Sequence, residues 1–311
     1  MVPGAIVVLF NPSAEQVANL IRLKQMCPRL VAIDNSLLVD QQLHARITSV
    51  GIQVVANFNK GGVAGAYNTG LERLIEDGAE ALFIFDQDSN VPDDYFTQML
   101  TDCCKIGSPR FLVGPKVFDV NVNRYLPAHV VGRFGFKPVM LCDTNSGLLP
   151  CSSIISSGSV LSAEAYRMLG PFMERYIIDQ VDTEYCFRAV CHGVPIYINT
   201  ALTLKHQISK RTDHKILFMK LNQWNMVPMR QYYSARNCIH ISRLYGKRFP
   251  VLVLINIITI QQILSIILFE TDKYRKLVAM LAGISDGLGD RFGTFENCRP
   301  RIAAFCTRSS S

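Results

Sequence analysis

The sequence predicts an α/β fold, with a mostly parallel, Rossmann-like central sheet flanked by helices and a helical C-terminal extension. Three observations carry that prediction. Short runs of β-formers alternate with helix-period segments through the first hundred residues. A polar cluster follows each run, on the edge where doubly wound sheets bind ligands. The fourth run, Phe83-Ile84-Phe85, ends in Asp86-Gln87-Asp88. Two carboxylates there make a hard, oxygen-rich site suited to Mg²⁺ or Mn²⁺.

Taken in order, residues 5–10 form a strand, and Ser13 caps a helix reaching about residue 27. A strand at 30–33 ends in Asp34-Asn35-Ser36, and a helix over 39–50 leads to a strand at 52–56. Asn57-Phe58-Asn59-Lys60-Gly61-Gly62 then opens a helix to about 77, before the strand at 82–85. That series predicts parallel strands with right-handed crossovers. A plainer reading makes Asp88 and Ser89 caps of a helix starting near Pro92. Turn-separated runs at 111–113, 116–118, 136–140 and 152–155 predict mixed or antiparallel strands. A helix over 162–169 stops at Gly170-Pro171. Asp179 is placed to cap a helix to His192, and Gly193-Val194-Pro195 precedes a strand at 196–198.

Beyond about 210 the pattern is helical. Val253, Ile257, Ile260, Leu264 and Ile267 fall at helical spacing and form one apolar stripe. The length of 249–269 would permit a membrane span. Asn256, Thr259, Gln261, Gln262 and Ser265 interrupt it, predicting instead a helix in the interface or packed on the rest of the chain.

With 311 residues, 49% hydrophobic and 18% charged, the chain can bury a large core and is far from disordered. The opening residues lack the basic segment and long apolar run of a secretory leader. Ten cysteines without any C-x-x-C pattern read as reduced thiols of a cytosol-facing protein. Charge is uneven: −4 over residues 1–204, +9 over 205–248 and +2 over the rest. A basic segment beside a greasy one suggests an anionic lipid surface or phosphate-bearing substrates. No nucleic-acid-binding motif is present.

Several polar stations share the ligand edge. Asp34 could accept a hydrogen bond from a pyrimidine N–H, or simply serve its turn. Asn59-Lys60-Gly61-Gly62, with Asn68 and Gly70, could let a diphosphate approach backbone at a helix N-terminus. Together with Asp86-Gln87-Asp88-Ser89, Ser157-Gly158-Ser159, Ile178-Asp179-Gln180-Val181-Asp182-Thr183-Glu184, His206 and Tyr232-Tyr233-Ser234-Ala235-Arg236-Asn237, they occur in an order that resembles the family 2 inverting glycosyltransferases of GT-A fold, closest to a bacterial rhamnosyltransferase branch.

The resemblance implies a metal-dependent inverting transferase taking a nucleotide sugar, foremost dTDP-L-rhamnose, to a glycan or lipid-linked acceptor of bacterial surface polysaccharide such as O-antigen. It implies a peripheral or monotopic place on the cytoplasmic face of the inner membrane. Residues 1–210 would form the catalytic domain, with the donor half at about 1–110 and the acceptor half at 111–210. Residues 211–311 would be a membrane-proximal region. Asp182 is then the catalytic base, taking a proton from the acceptor hydroxyl. Asn11, Asp34, Asn59, Gly62, Asn68, Asp86 and Gln87 would bind the donor. Asp86, Asp88 and His206 would hold Mg²⁺ or Mn²⁺, although no glycine closely follows His206 as it does in many relatives. Ser157, Gly158, Glu184, Tyr233 and Arg236 would meet the acceptor or diphosphate, with Trp224 nearby. Plainer readings stand beside these: a capping-box role for Asp182, and a helix-surface pair for Glu184 and Arg188. A D-x-D strand end also marks haloacid-dehalogenase-like phosphatases, but there on the first core strand. Other nucleotide-sugar donors, or a non-catalytic sugar-nucleotide-binding subunit, are the remaining alternatives.

Overall fold

The computed structural model describes residues 1–121, 123–142, 147–206, 212–216, 219–223 and 225–307. The first four strand–helix units are β1 (Pro3–Leu9), α1 (Ala14–Met26), β2 (Leu30–Asp34), α2 (Gln41–Ser49), β3 (Gln53–Ala56), α3 (Gly62–Glu76), β4 (Ala81–Asp86) and α4 (Tyr95–Cys103). Ser13 closes a capping box with Gln16 at the head of α1, as its sequence predicts. β5 (Leu112–Asp119), β6 (Arg124–Tyr125), β7 (Ala128–Val131), β8 (Phe136–Val139), β9 (Leu148–Cys151) and β10 (Ser159–Ser162) follow. Then come α5 (Ala163–Leu169), α6 (Val181–Cys191), β11 (Ile196–His206), β12 (Thr212–Ile216) and β13 (Met219–Gln223). The C-terminal helices are α7 (Pro228–Tyr245), α8 (Asn256–Phe269), α9 (Lys273–Leu288), α10 (Phe295–Cys298) and α11 (Pro300–Thr307).

The main sheet runs β3-β2-β1-β4-β10-β5-β11-β9, with β6 paired to β5. β3, β2, β1 and β4 are mutually parallel, and β10 enters antiparallel between β4 and β5. The chain crosses from β1 to β2 on one side and returns to place β4 on the other. That leaves a switch point at the carboxyl ends of β1 and β4, where open α/β sheets bind ligands. Alternation within the strands builds two cores. Ile6, Val8, Ile33, Leu82 and Ile84 pack with Leu71, Leu74 and Tyr185 on one face. Ala5, Val7, Leu9, Phe83 and Phe85 pack with Leu20, Leu23, Phe96 and Met99 on the other.

Four expectations need correction. Residues 112–119 form one strand through Gly114-Pro115, because pairing with β10 ends at Val113 and Pro115 falls beyond it. The strand expected at 152–155 lies at 148–151, where it pairs with β11. β11 continues to His206 across an irregularity between Asn199 and Thr203. The purely helical region expected beyond 210 begins with the β12–β13 hairpin.

The C-terminal helices rest on the sheet-bearing part of the chain. α9 approaches α7 closely because Gly283 and Gly287 lack side chains. A Cβ at Gly283 would lie 2.3 Å from the Tyr232 carbonyl oxygen, and one at Gly287 2.6 Å from that of Arg236. Tyr232, Tyr233 and Phe295 form a cluster against which Ile177 and Ile178, just before α6, are packed. No helix among the described residues is long and apolar enough to cross a membrane.

Candidate active site

Asp86 ends β4, and its turn is locked rather than capped onto the next helix. The Asp86 N–H donates to Ser89 Oγ at 2.9 Å, and Ser89 Oγ lies 2.6 Å from Ser157 Oγ. α4 starts at Tyr95 without a side-chain cap, so the capping reading of Asp88 and Ser89 fails. Gln87 staples the two strands of the switch point: its Oε1 accepts from Phe10 N at 2.7 Å and its Nε2 donates to Phe10 O at 3.3 Å. Asn19 Nδ2 donates to the carbonyl of Ser89 at 2.7 Å from the other side. Asp88 is exposed and carries no hydrogen bond within the described residues.

Asp182 sits in the first turn of α6, two residues past a backbone that bends against its preference. Ile177, Asp179 and Gln180 all have positive φ, near +62° to +66°, where side chains crowd the backbone. Asp179 therefore does not cap α6; it pairs with Arg230, whose Nε lies 3.2 Å from its Oδ2. Asp182 is no capping-box partner either, for its Oδ1 accepts from the adjacent Thr183 N at 2.7 Å. Burial holds the Asp182 carboxyl above its usual range, with Asp179 adding to the effect and the N–H groups of Thr183 and Ser156 opposing it. A small cavity walled by Ile84, Leu112, Phe172 and Tyr185 accounts for the apolar side of that setting.

Tyr67 joins the two carboxylates, and sequence reasoning missed it. Its buried hydroxyl lies near Ser156 and feels the charge of both Asp86 and Asp182. Burial, then Asp86, pushes this phenol well above its usual value, so it stays protonated and donates. The available signal was a large polar ring alone in the small-residue run Gly62-Val63-Ala64-Gly65-Ala66 before Tyr67, since a buried tyrosine hydroxyl requires a partner. Ser156 was missed beside the named Ser157 and Gly158. Those two are buried: Ser157 serves the Asp86 turn, and Gly158, at φ 74°, donates to Ile84 O and accepts from Tyr95.

The remaining stations divide into rim and scaffold. Asn11 is exposed at φ 46°, with its N–H on Ser36 Oγ, and Phe58, in the turn after β3, is also exposed. Asn59 Oδ1 accepts from Asn35 Nδ2 at 3.0 Å, part of a ladder continuing to Asn57. Asp34 is 1% exposed, with Oδ1 accepting from Ser36 N and Oδ2 2.7 Å from His44 Nε2. Its visible work is to hold this turn.

Several of the expected contact residues are buried and have partners within the chain. Gly62 is needed by the chain itself, because a Cβ there would lie 2.1 Å from the Ile177 carbonyl oxygen. That carbonyl also takes the Val63 N–H at 2.7 Å, so the start of α3 already has an internal acceptor instead of an open diphosphate cradle. Asn68 is buried and fastens Phe172 through its main chain, accepting at 2.7 Å and donating at 2.9 Å. Glu184 is buried in a fork with Arg188, at 2.5 and 3.1 Å, and accepts from Tyr245 at 2.6 Å. It is neither a surface pair nor a cleft residue. Tyr233 accepts from Phe295 N at 2.9 Å. Arg236, wholly buried, donates to the carbonyls of Gly293, Arg175 and Tyr176. Asn237 Nδ2 reaches the carbonyls of Tyr176, Ile178 and Asp179 at 3.2, 3.0 and 2.8 Å. The α7 motif is thus a clamp on the turn before Asp182. The side chain of His206, and Trp224, lie outside the described residues.

Among the described residues no three His, Cys, Asp or Glu side chains form a ready metal cluster. Asp86 and Asp88 alone still fit Mg²⁺ or Mn²⁺, since Mg²⁺ commonly takes one or two carboxylates and fills its other positions with phosphate and water.

No protein-family model matches the chain. In sequence it is similar to dTDP-rhamnosyl transferase RfbF of Shigella flexneri, 26% identical over 288 residues, covering 90% of this chain and 94% of that one. In structure it is similar to GalNAc-T7, solved with UDP, GalNAc and Mn²⁺, at a TM-score of 0.59 and 11% identity, covering 98% of this chain but 57% of that one. It is also similar to residues 1–349 of S. aureus TarS in complex with UDP-GlcNAc, at a TM-score of 0.56 and 13% identity over 94% of this chain and 82% of that one. The sheet that brings Asp86 toward Asp182 is therefore the GT-A glycosyltransferase fold, in a chain similar over most of its length to a rhamnosyl transferase.

Proposed function

We propose that this glycosyltransferase moves L-rhamnose from dTDP-L-rhamnose, with inversion, to a glycan or lipid-linked acceptor in bacterial surface polysaccharide synthesis, working at the cytoplasmic membrane surface. The observation that carries the transfer chemistry is the Tyr67 hydroxyl, which lies in the field of both Asp86 and Asp182. It draws a strand-end carboxylate and a lone raised-pKa carboxylate toward one spot. The choice of donor is supported by the similarity to RfbF along most of both chains.

In this reading Asp86 and Asp88 hold Mg²⁺ or Mn²⁺, which when bound offsets charge gathering on the departing diphosphate. Tyr67 aims Asp86 by donating to it. Asn11 and Asn59 line the nucleoside rim, beside the exposed Phe58 face. Asp182 accepts the proton of the acceptor hydroxyl as that oxygen attacks the anomeric carbon, and its raised affinity for a proton suits it to the task. A single base is enough for one displacement with inversion.

The test is turnover of purified protein with dTDP-L-rhamnose, UDP-GlcNAc and UDP-galactose, with Mn²⁺ or Mg²⁺ and with chelator. Donor consumption confined to dTDP-L-rhamnose and abolished by chelator is expected. Preference for a UDP-sugar would overturn the donor, and full turnover in chelator would overturn the metal.

A further inference from the structure

α8 is inside out for a helix on a water-soluble surface. Val253, just before it, and Ile257, Ile260, Leu264 and Ile267 are 36% to 58% exposed, and Leu268 joins them. Thr259, Gln262 and Ser265 are instead buried against the protein. Gln262 Oε1 and Ser265 Oγ find no hydrogen-bond partner among the described residues. A helix facing water places its apolar stripe inward and polar groups outward. Here the outward face is apolar, while the inward face sets Ile263 and Ile266 beside polar groups whose oxygens are left unpaired.

The charges around the stripe point to what covers it. Lys247 and Arg248 are exposed before it and Lys273 after it, while residues 243–269 contain no Asp or Glu. Glu270 is buried and paired with Lys276 at 2.7 Å, and the exposed Asp272 is offset by Arg275 at 3.7 Å. An apolar face with cations at both ends matches an anionic lipid surface, where the stripe enters the acyl boundary and the cations meet headgroups. Fourteen helical residues rise only about 21 Å, so α8 lies along such a surface. A second copy seated on the same face would bring cationic ends against cationic ends in either relative orientation.

We infer that the outward face of α8 is a membrane-docking surface for anionic lipid. This specifies the membrane-surface part of the proposed function and rests on that reading only for its purpose; lipid binding and sugar transfer are measured separately, so either can fail alone.

The experiment is co-sedimentation of the full chain with phosphatidylcholine vesicles, with or without about a third phosphatidylglycerol, beside sedimentation velocity without lipid. Binding to the anionic vesicles is expected, with a drop of about tenfold or more in the double variant Ile260→Ser/Ile267→Ser. A smaller, salt-like weakening is expected for Lys247→Gln/Arg248→Gln. Both pairs are at the surface, and unchanged melting temperatures would confirm intact folding. The inference is overturned if the parent binds neither vesicle, or if the double serine variant binds as the parent does. It is overturned equally if the parent is a dimer that this variant dissolves without a change in lipid binding.

Discussion

The two carboxylates that meet around Tyr67 are held in opposite ways. Asp86 belongs to a local device: a parallel strand, a three-residue turn closed by Ser89, and the Gln87 staple to the neighbouring strand end. Asp182 follows a turn with three positive-φ residues, Ile177, Asp179 and Gln180. Beyond its local main-chain bonds, supports arrive from far along the chain: Val63 from α3, Arg230, Arg236 and Asn237 from α7, and α9 packed behind α7. The contrast teaches that the Asp86 turn is nearly self-contained while the Asp182 turn depends on the C-terminal helices. Cutting the chain at about residue 249 would remove α9 and loosen that clamp, so point variants are the cleaner probe.

The largest effect is expected at the distant turn. Asp182→Asn should lower kcat by about 10²–10⁴ while donor affinity changes little, because a base acts as the bond forms. Stability gives an independent sign. The native carboxyl has a raised pKa, so in the window above the ordinary carboxylate value the native state holds more protons than the unfolded chain. The parent should thus lose stability as pH rises through that window, and the Asn variant should lose less. Parallel pH slopes in thermal melts would remove the desolvated-base account.

Asp88→Asn comes next and acts on the local device. Removing one exposed charged oxygen from the pair should weaken Mn²⁺-dependent donor binding by about 10–100-fold, a range borrowed from changes around metal ligands. Binding measured in chelator should be unaffected. Calorimetry giving equal donor affinity for parent and variant with Mn²⁺ would assign the Asp88 turn another role.

These two turns also mark what the sequence made readable. The strand-end edge follows from short-range periodicity: each early strand ends where its apolar run ends, with Asn11, Asp34, Asn59 and Asp86 at or just beyond those ends. The α8 stripe was readable for the same reason, although its outward direction was not. Contacts closed over long separations left no such trace. Nothing near Gly62 announces that Ile177 will occupy the start of α3. Arg236 reads as a phosphate ligand because it is basic, yet its guanidinium serves buried carbonyls that only a strained turn leaves without strand or helix partners. Glu184 reads as a surface residue by i,i+4 spacing, and Tyr245, 61 positions away, makes it an interior one.

Asn237→Ala tests the dependence of the distant turn. Three carbonyls would lose a buried donor, at a cost of about 1–3 kcal/mol in stability. The informative quantity is the split in kinetics. A clamp on Asp182 predicts lowered kcat with donor Kd within about twofold, whereas general loosening would weaken both together. Asn237→Asp, which keeps the shape but replaces the donor with an acceptor, should not rescue.

The smallest effect is expected where the two devices touch. Tyr67→Phe keeps the ring in its packed site and removes only the hydroxyl that faces Asp86 and Ser156. Loss of one hydrogen bond costs about 0.5–1.5 kcal/mol, and the apolar contacts of the ring with Phe172, at a centroid distance of 5.3 Å, remain. If the hydroxyl only fills space, kinetics should follow stability and the pH profile should keep its shape. If it donates to Asp86, that carboxylate loses a bond to its charged form and takes up protons more readily. The acid limb of metal-dependent donor binding should then move to higher pH in the variant, with the Asp182-governed limb of kcat shifted less. Donor binding titrated against pH, with Mn²⁺ held fixed, separates the two, and an unmoved binding limb would leave Tyr67 a packing residue between two independent turns.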